Sequence, residues 1–84
     1  MNEVWKLCVL FDNGASVSIH GTEEVLRIVH DEWVSWLRMS EVEQESEVDQ
    51  TTVEGICDSP DRATCVLTFL KSSVVSMTVL QAYS

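Results

Sequence analysis

Large apolar residues recur at every second position along two stretches near the start of the chain: Trp5, Leu7, Val9 and Phe11, then Ala15, Val17 and Ile19. A period of two predicts strands with one buried face. Asn13-Gly14 lies between them, a strong short-range signal for a hairpin. Two registers are open to it. A two-residue type I′ turn sets Asp12 opposite Ala15 and puts the aromatic and aliphatic set against Ser16, Ser18 and His20. A three-residue loop, Asp12-Asn13-Gly14, leaves Gly14 left-handed in a G1 bulge. It sets Phe11 opposite Ala15, Val9 opposite Val17 and Leu7 opposite Ile19. A slip of one residue turns every side chain over, so the apolar pattern selects the second register.

After Thr22 the period changes. At about 100° per residue, Val25, Leu26, Val29, Trp33, Trp36 and Leu37 share a sector of about 120°, flanked by Ile28 and Val34. Glu24, Arg27, Asp31, Ser35 and Arg38 face away. Thr22 supplies an N-cap, and Glu23 and Glu24 sit where the helix dipole favours anions. The pattern predicts an amphipathic helix of about 17 residues on one face of a sheet. Trp33 and Trp36 read as core residues whose indole N–H groups need acceptors near the core margin.

Residues 40–52, SEVEQESEVDQTT, carry no helical apolar stripe. Acids occupy every second position: Glu41, Glu43, Glu45, Glu47 and Asp49. Val42 and Val48 are the only large apolar residues among them, and no basic residue occurs between Met39 and Asp61. Glu54, Asp58 and Asp61 extend the run of negative charge. The segment reads as a loop, an edge segment or a partly disordered stretch.

Strands return in the last third. TTVEGICDS is a short, weak one, and SPDR, with Pro60 and Asp61, is a turn. ATCVLTFL and VVSMTVLQAY are rich in β-branched residues and join around Lys71 to Ser73. Cys65, Leu67 and Phe69 alternate to one face of the first run; Val75, Met77 and Val79 do so in the second. The element order is ββαβββ. The chain reads as a single domain over residues 1–84 with an α+β fold: one antiparallel sheet of about four to five strands and one amphipathic helix on one face.

If the odd-numbered face meets the helix, the other face needs an account. It carries Val4, Lys6, Cys8 and Leu10, then Ser16, Ser18 and His20. The later strands add Thr64, Val66, Thr68 and Leu70, then Val74, Ser76, Thr78 and Leu80. Only Lys6 is charged at neutral pH. A sheet face open to water usually alternates charged residues. One helix cannot cover both faces. A homo-oligomer, in its simplest form a homodimer, is therefore expected, with Cys8, Leu10, Val66, Leu70, Val74, Thr78 and Leu80 at its interface. The competing account is a neutral, solvated face of Thr and Ser.

Composition narrows the setting. Eighty-four residues allow one small core, and 45% hydrophobic residues are enough to form it. MNEVWK has no basic region before an apolar run, so no signal peptide is expected. No stretch approaches the roughly 20 apolar residues that span a bilayer. Three cysteines, an odd number, argue against a secreted disulfide scaffold and for a reducing, cytoplasmic setting. A net charge of −9 disfavours direct binding to nucleic acid or to an anionic membrane.

Candidate chemistry is sparse. Cys8 and His20 lie diagonally on the outer face in the bulged register, but a Cys–His dyad needs a third group to orient the imidazole, and none is evident. Cys57 and Cys65 flank the SPDR turn as possible cross-strand neighbours. No CxxC or HxxxH spacing suits zinc. His30 reads as a surface histidine at the helix margin. Gly14, Gly21 and Gly55 are too scattered for a phosphate loop. No catalytic residue, metal or cofactor is expected.

The acidic run carries the functional expectation. In extended form its carboxylates would repeat about every 6.6 Å on one side, comparable to the phosphate spacing of a nucleic-acid strand. The chain is expected to be a non-enzymatic binding protein that engages or inhibits a basic protein partner through Glu41, Glu43, Glu45, Glu47 and Asp49. Nucleic-acid mimics, antidote or immunity proteins and viral anti-defence proteins act in this way. The competing function is an oligomer holding a small ligand in a pocket between subunits, near Trp33 and Trp36. The bland reading of the acids is a solubilising loop.

Overall fold

The computed structural model describes residues 4–57, 61 and 63–82. The fold is α+β: one five-stranded antiparallel sheet with a helix against it. The strands are β1 (Val4–Phe11), β2 (Ser16–Gly21), β3 (Gln50–Cys57), β4 (Thr64–Leu70) and β5 (Val74–Ala82). Helix α1 spans Glu23–Leu37, and a short helix α2 spans Glu41–Ser46. The sheet order is β4-β3-β2-β1-β5.

The first hairpin takes the bulged register. Leu7 pairs with Ile19 and Val9 with Val17. The Phe11 amide donates to the Ala15 carbonyl at 2.8 Å, and the Gly14 amide to the Phe11 carbonyl at 3.0 Å. Gly14 has φ +88°, the left-handed conformation that a side chain disfavours. Asn13 Oδ1 accepts from the Ala15 amide at 2.9 Å and closes the loop.

Helix α1 starts where Thr22 caps it, its Oγ1 accepting from the Val25 amide at 3.4 Å. The apolar sector read from the sequence is divided by the packing. Leu26, Val29 and Trp33 are buried, whereas Val25, Ile28 and Leu37 are exposed. Leu26, Val29 and Trp33 join Leu7, Val9, Ile19, Val53, Phe69, Val74 and Met77 in one core. The indole nitrogens of Trp33 and Trp36 were expected to find acceptors; both are buried without one among the described residues.

Three further expectations are corrected. The acidic segment is not irregular throughout: Glu41–Ser46 form α2, and Gln50 to Thr52 open β3. Ser40 is the N-cap, its Oγ accepting from the Glu43 amide at 3.3 Å, and the Gln44 side-chain amide donates to the Trp36 carbonyl at 2.8 Å. Glutamates in the first turn suit the positive end of the helix dipole. Next, Val74 is not on the outer face. β5 inserts an extra residue opposite Leu10 and Phe11, so that Phe11 pairs with Val74 while Leu10 pairs with Ser76. This bulge turns Val74 into the core and leaves Val75 58% exposed. Last, β4 and β5 are joined at Lys71–Ser73 by a 3₁₀ turn, yet they occupy opposite edges of the sheet. The SPDR turn lies outside the described residues, apart from Asp61.

The short link between the two edges shapes the molecule. Three residues separate Leu70 from Val74, a reach of at most about 14 Å. The outer strands of a flat five-stranded sheet would stand about 19 Å apart. The sheet therefore curls, bringing the end of β4 close to the start of β5. Phe11 of β1 and Phe69 of β4 meet edge to face at 5.8 Å, and beside them the β1–β5 ladder runs on, the Asp12 amide donating to the Ser73 carbonyl at 2.9 Å. The curl leaves β2 and β3 joined, among the described residues, by two residue pairs, Ile19 with Cys57 and His20 with Ile56. β3 presses on β2 there through Gly55, which has no Cβ to intervene.

Candidate functional site

A groove of about 620 Å³ opens beside this crossing, between α1 and β3. Its origin is local. β2 pairs with β3 at His20, and two residues later Thr22 turns the chain into α1. β3 continues alone on that side. The Cys57 amide donates to the Ala63 carbonyl of the facing strand, so the odd residues of β3 direct their backbone groups towards β4. Even residues direct theirs the other way. Ile56 meets His20 there, but Thr52 and Glu54 face no strand among the described residues. Their amides and carbonyls form an open edge along the groove.

The groove walls are apolar, with a negative rim. Val25, Ile28 and Ile56 line it, and all three are exposed. Glu32 lies at the helix wall, accepting from Thr51 Oγ1 at 3.4 Å, and Glu54 lies on the strand. Among the described residues no lysine or arginine lines the groove, and neither tryptophan does.

The structure scatters the residues singled out in the sequence. Glu41, Glu43, Glu45 and Glu47 are exposed and make no ion pair among the described residues. The ladder of carboxylates on one side does not form. On a helix, residues two apart point about 200° from each other, so Glu43 faces away from Glu41 and Glu45. Asp49 serves the fold instead. Its Oδ1 accepts from the Ser72 amide at 2.9 Å and its Oδ2 from Ser72 Oγ at 2.6 Å. Lys71 Nζ donates to the Val48 carbonyl at 3.0 Å, closing the same corner.

The outer-face residues divide as well. Cys8, Leu10, Thr78 and Leu80 lie together on the paired strands β1 and β5, whereas Val66 and Leu70 lie on β4 at the far edge. Val74 belongs to the core. Cys8 Sγ accepts from Ser18 Oγ at 3.7 Å, and no contact joins it to His20 among the described residues. Cys57 and Cys65 meet on one face of the β3–β4 pair. The Cys57 thiol is held above its ordinary pKa, chiefly by a hydrogen bond with Cys65, then by desolvation and the nearby charges of Cys65 and Asp61. It therefore stays protonated at neutral pH. Among the described residues no group of His, Cys, Asp or Glu is arranged to hold a metal, and no helix is long and apolar enough to cross a membrane.

No protein-family model, curated protein or solved structure matches the chain. The groove escaped the sequence reading because it depends on where β2 stops pairing, a non-local event. The exposed pair Val25 and Ile28 had been read as part of the helix's core sector or its flank.

Proposed function

We propose that this chain is a non-enzymatic, homo-oligomeric binding protein of the cytoplasm that engages a basic protein partner and inhibits it. It would act in the manner of an antidote, immunity or anti-defence protein, or of a nucleic-acid mimic. The observation that carries this reading is the unmatched negative charge. The chain has 14 acids and five Lys or Arg residues. Arg27 is already engaged, 3.0 Å from Glu23 and over the Trp5 ring, and Lys71 holds the Val48 carbonyl. The glutamates of α2 and the groove rim keep their charge for a partner. On this reading α1 is amphipathic in service of two neighbours. Leu26, Val29 and Trp33 serve the core, and Val25 and Ile28 serve the partner. The presentation of charge by α2 is a cluster around a short helix rather than a linear repeat.

Hexalysine is a suitable probe of the charge. Changing Glu41, Glu43, Glu45 and Glu47 together to Gln is expected to slow its association about tenfold at low salt, with dissociation little changed. Stopped-flow binding at rising salt measures this, since exposed charges are screened beyond about 8 Å at physiological ionic strength. Equal association rates for the two proteins would refute the role of α2. Asp49 is left in place because its carboxylate holds the Ser72 corner.

The assembly has its own test. Sedimentation at micromolar concentration is expected to show a dimer or larger. Val66→Glu or Thr78→Glu is expected to shift it to the monomer without unfolding, since both side chains are exposed in the single chain and a charge is costly only when an assembly buries it. An unsubstituted chain that sediments as a monomer rules the assembly out.

A further inference from the structure

We propose that the open edge of β3 at Thr52 and Glu54 takes up an extended segment of the partner by strand addition, and that this segment alternates apolar residues with Lys or Arg. The inference rests on the reading of the chain as a binder of basic proteins and gives that reading a place and a mode.

The argument begins with the backbone. Thr52 and Glu54 each present an N–H and a C=O on the side away from β4. Such a row of unpaired groups is a template for another strand, and proteins commonly blunt it with a lysine, a proline or a cover. Among the described residues no lysine or proline stands on the edge and none covers it, and the groove of about 620 Å³ lies open beside it. An incoming strand would continue the line that β2 abandons at Thr22. Backbone pairing of this kind supplies affinity, and pockets for alternate side chains supply specificity.

The side chains define the occupant. Successive residues of an added strand point to opposite faces. One set would turn towards Val25, Ile28 and Val29 of the helix wall, which favours apolar residues. The other set would lie beside the Glu54 side chain on the outer face, and among the described residues no lysine or arginine lines the groove to balance that carboxylate. Charge complementarity therefore selects Lys or Arg at the alternate positions. The same edge of a second copy fits less well here, because β3 offers Glu54 and no Lys or Arg at its alternate positions.

The test uses the full chain and a panel of eight-residue peptides alternating Val, Ile or Leu with Lys or Arg, at concentrations up to millimolar. Amide NMR is expected to show the largest shifts at Thr52 and Glu54, with slowed hydrogen exchange at both. Each binding peptide is then remade with N-methyl groups on every second residue, in the two possible phases. The phase that removes the donors facing β3 is expected to lose about tenfold or more in affinity, and the other phase little. Ile28→Lys, at an exposed position, is expected to weaken the peptides at least as much. Peptides that bind equally in both phases, or that shift residues 41–46 rather than Thr52 and Glu54, overturn strand addition while leaving the basic-partner reading intact. If neither these peptides nor hexalysine bind, both readings fall. Protection of Thr52 and Glu54 that rises with protein concentration alone makes a second copy the occupant and overturns the proposal.

Discussion

Gly55→Ala is expected to lower the stability of the fold by about 3 kcal/mol, the upper part of the range for overpacking a filled site. The reason is the crossing of β3 over β2. A Cβ at Gly55 would press on the His20 carbonyl oxygen and lie 2.9 Å from Ile19 Cγ1 and 3.1 Å from its Cδ1. Neither neighbour can yield. The oxygen is backbone, and Ile19 is 1% exposed within the core. The strands must separate at the two residue pairs that join them among the described residues. Gly14→Ala is the control. Nothing lies within 4 Å of a Cβ there, and the cost is confined to the left-handed φ of +88°, about 1 kcal/mol. Urea titration of both variants measures the difference. If Gly55→Ala costs no more than Gly14→Ala, the crossing is looser than described and the groove beside it loses its fixed floor.

These two glycines also mark the limits of the sequence reading. The hairpin at Gly14 was legible because period-two alternation and one turn dipeptide specify it within a few residues. The start of α1 was legible from Thr22 for the same reason. Gly55 carries no local sign of its role, since that role comes from a contact with β2 more than 30 positions away. The phase of β5 was hidden because Val74 and Val75 are equally apolar, so a bulge between them leaves no trace in the pattern. Helix α2 did leave one: Ser40 followed by Glu43 has the spacing of a capping box. The segment lacks the apolar stripe that marks a packed helix. The acids were legible as charge but not as geometry, and Asp49 looked like one more of them until Ser72 was found on it.

Leu26→Ala is expected to cost about 3 kcal/mol or more, within the range for deleting a fully buried leucine, whereas Val25→Ala next to it is expected to cost about 0.5 kcal/mol or less. The sequence places both residues in one helical sector. The packing separates them. Leu26 is 0% exposed and lies in the core cluster beside Gly21, while Val25 is 43% exposed on the groove wall. Only Leu26, Val29 and Trp33 bury themselves from α1, so losing one removes much of what holds the helix to the sheet. The two variants should part in the opposite direction on binding. Val25→Ala keeps the fold and thins one apolar wall, which is expected to weaken an alternating Val-Lys peptide several-fold. Calorimetric unfolding and peptide titration of the same two proteins give both quantities. A Val25→Ala protein that loses stability as Leu26→Ala does would place Val25 in the core. The wall assigned to it, and with it the groove's fit to a partner strand, would then have to be abandoned.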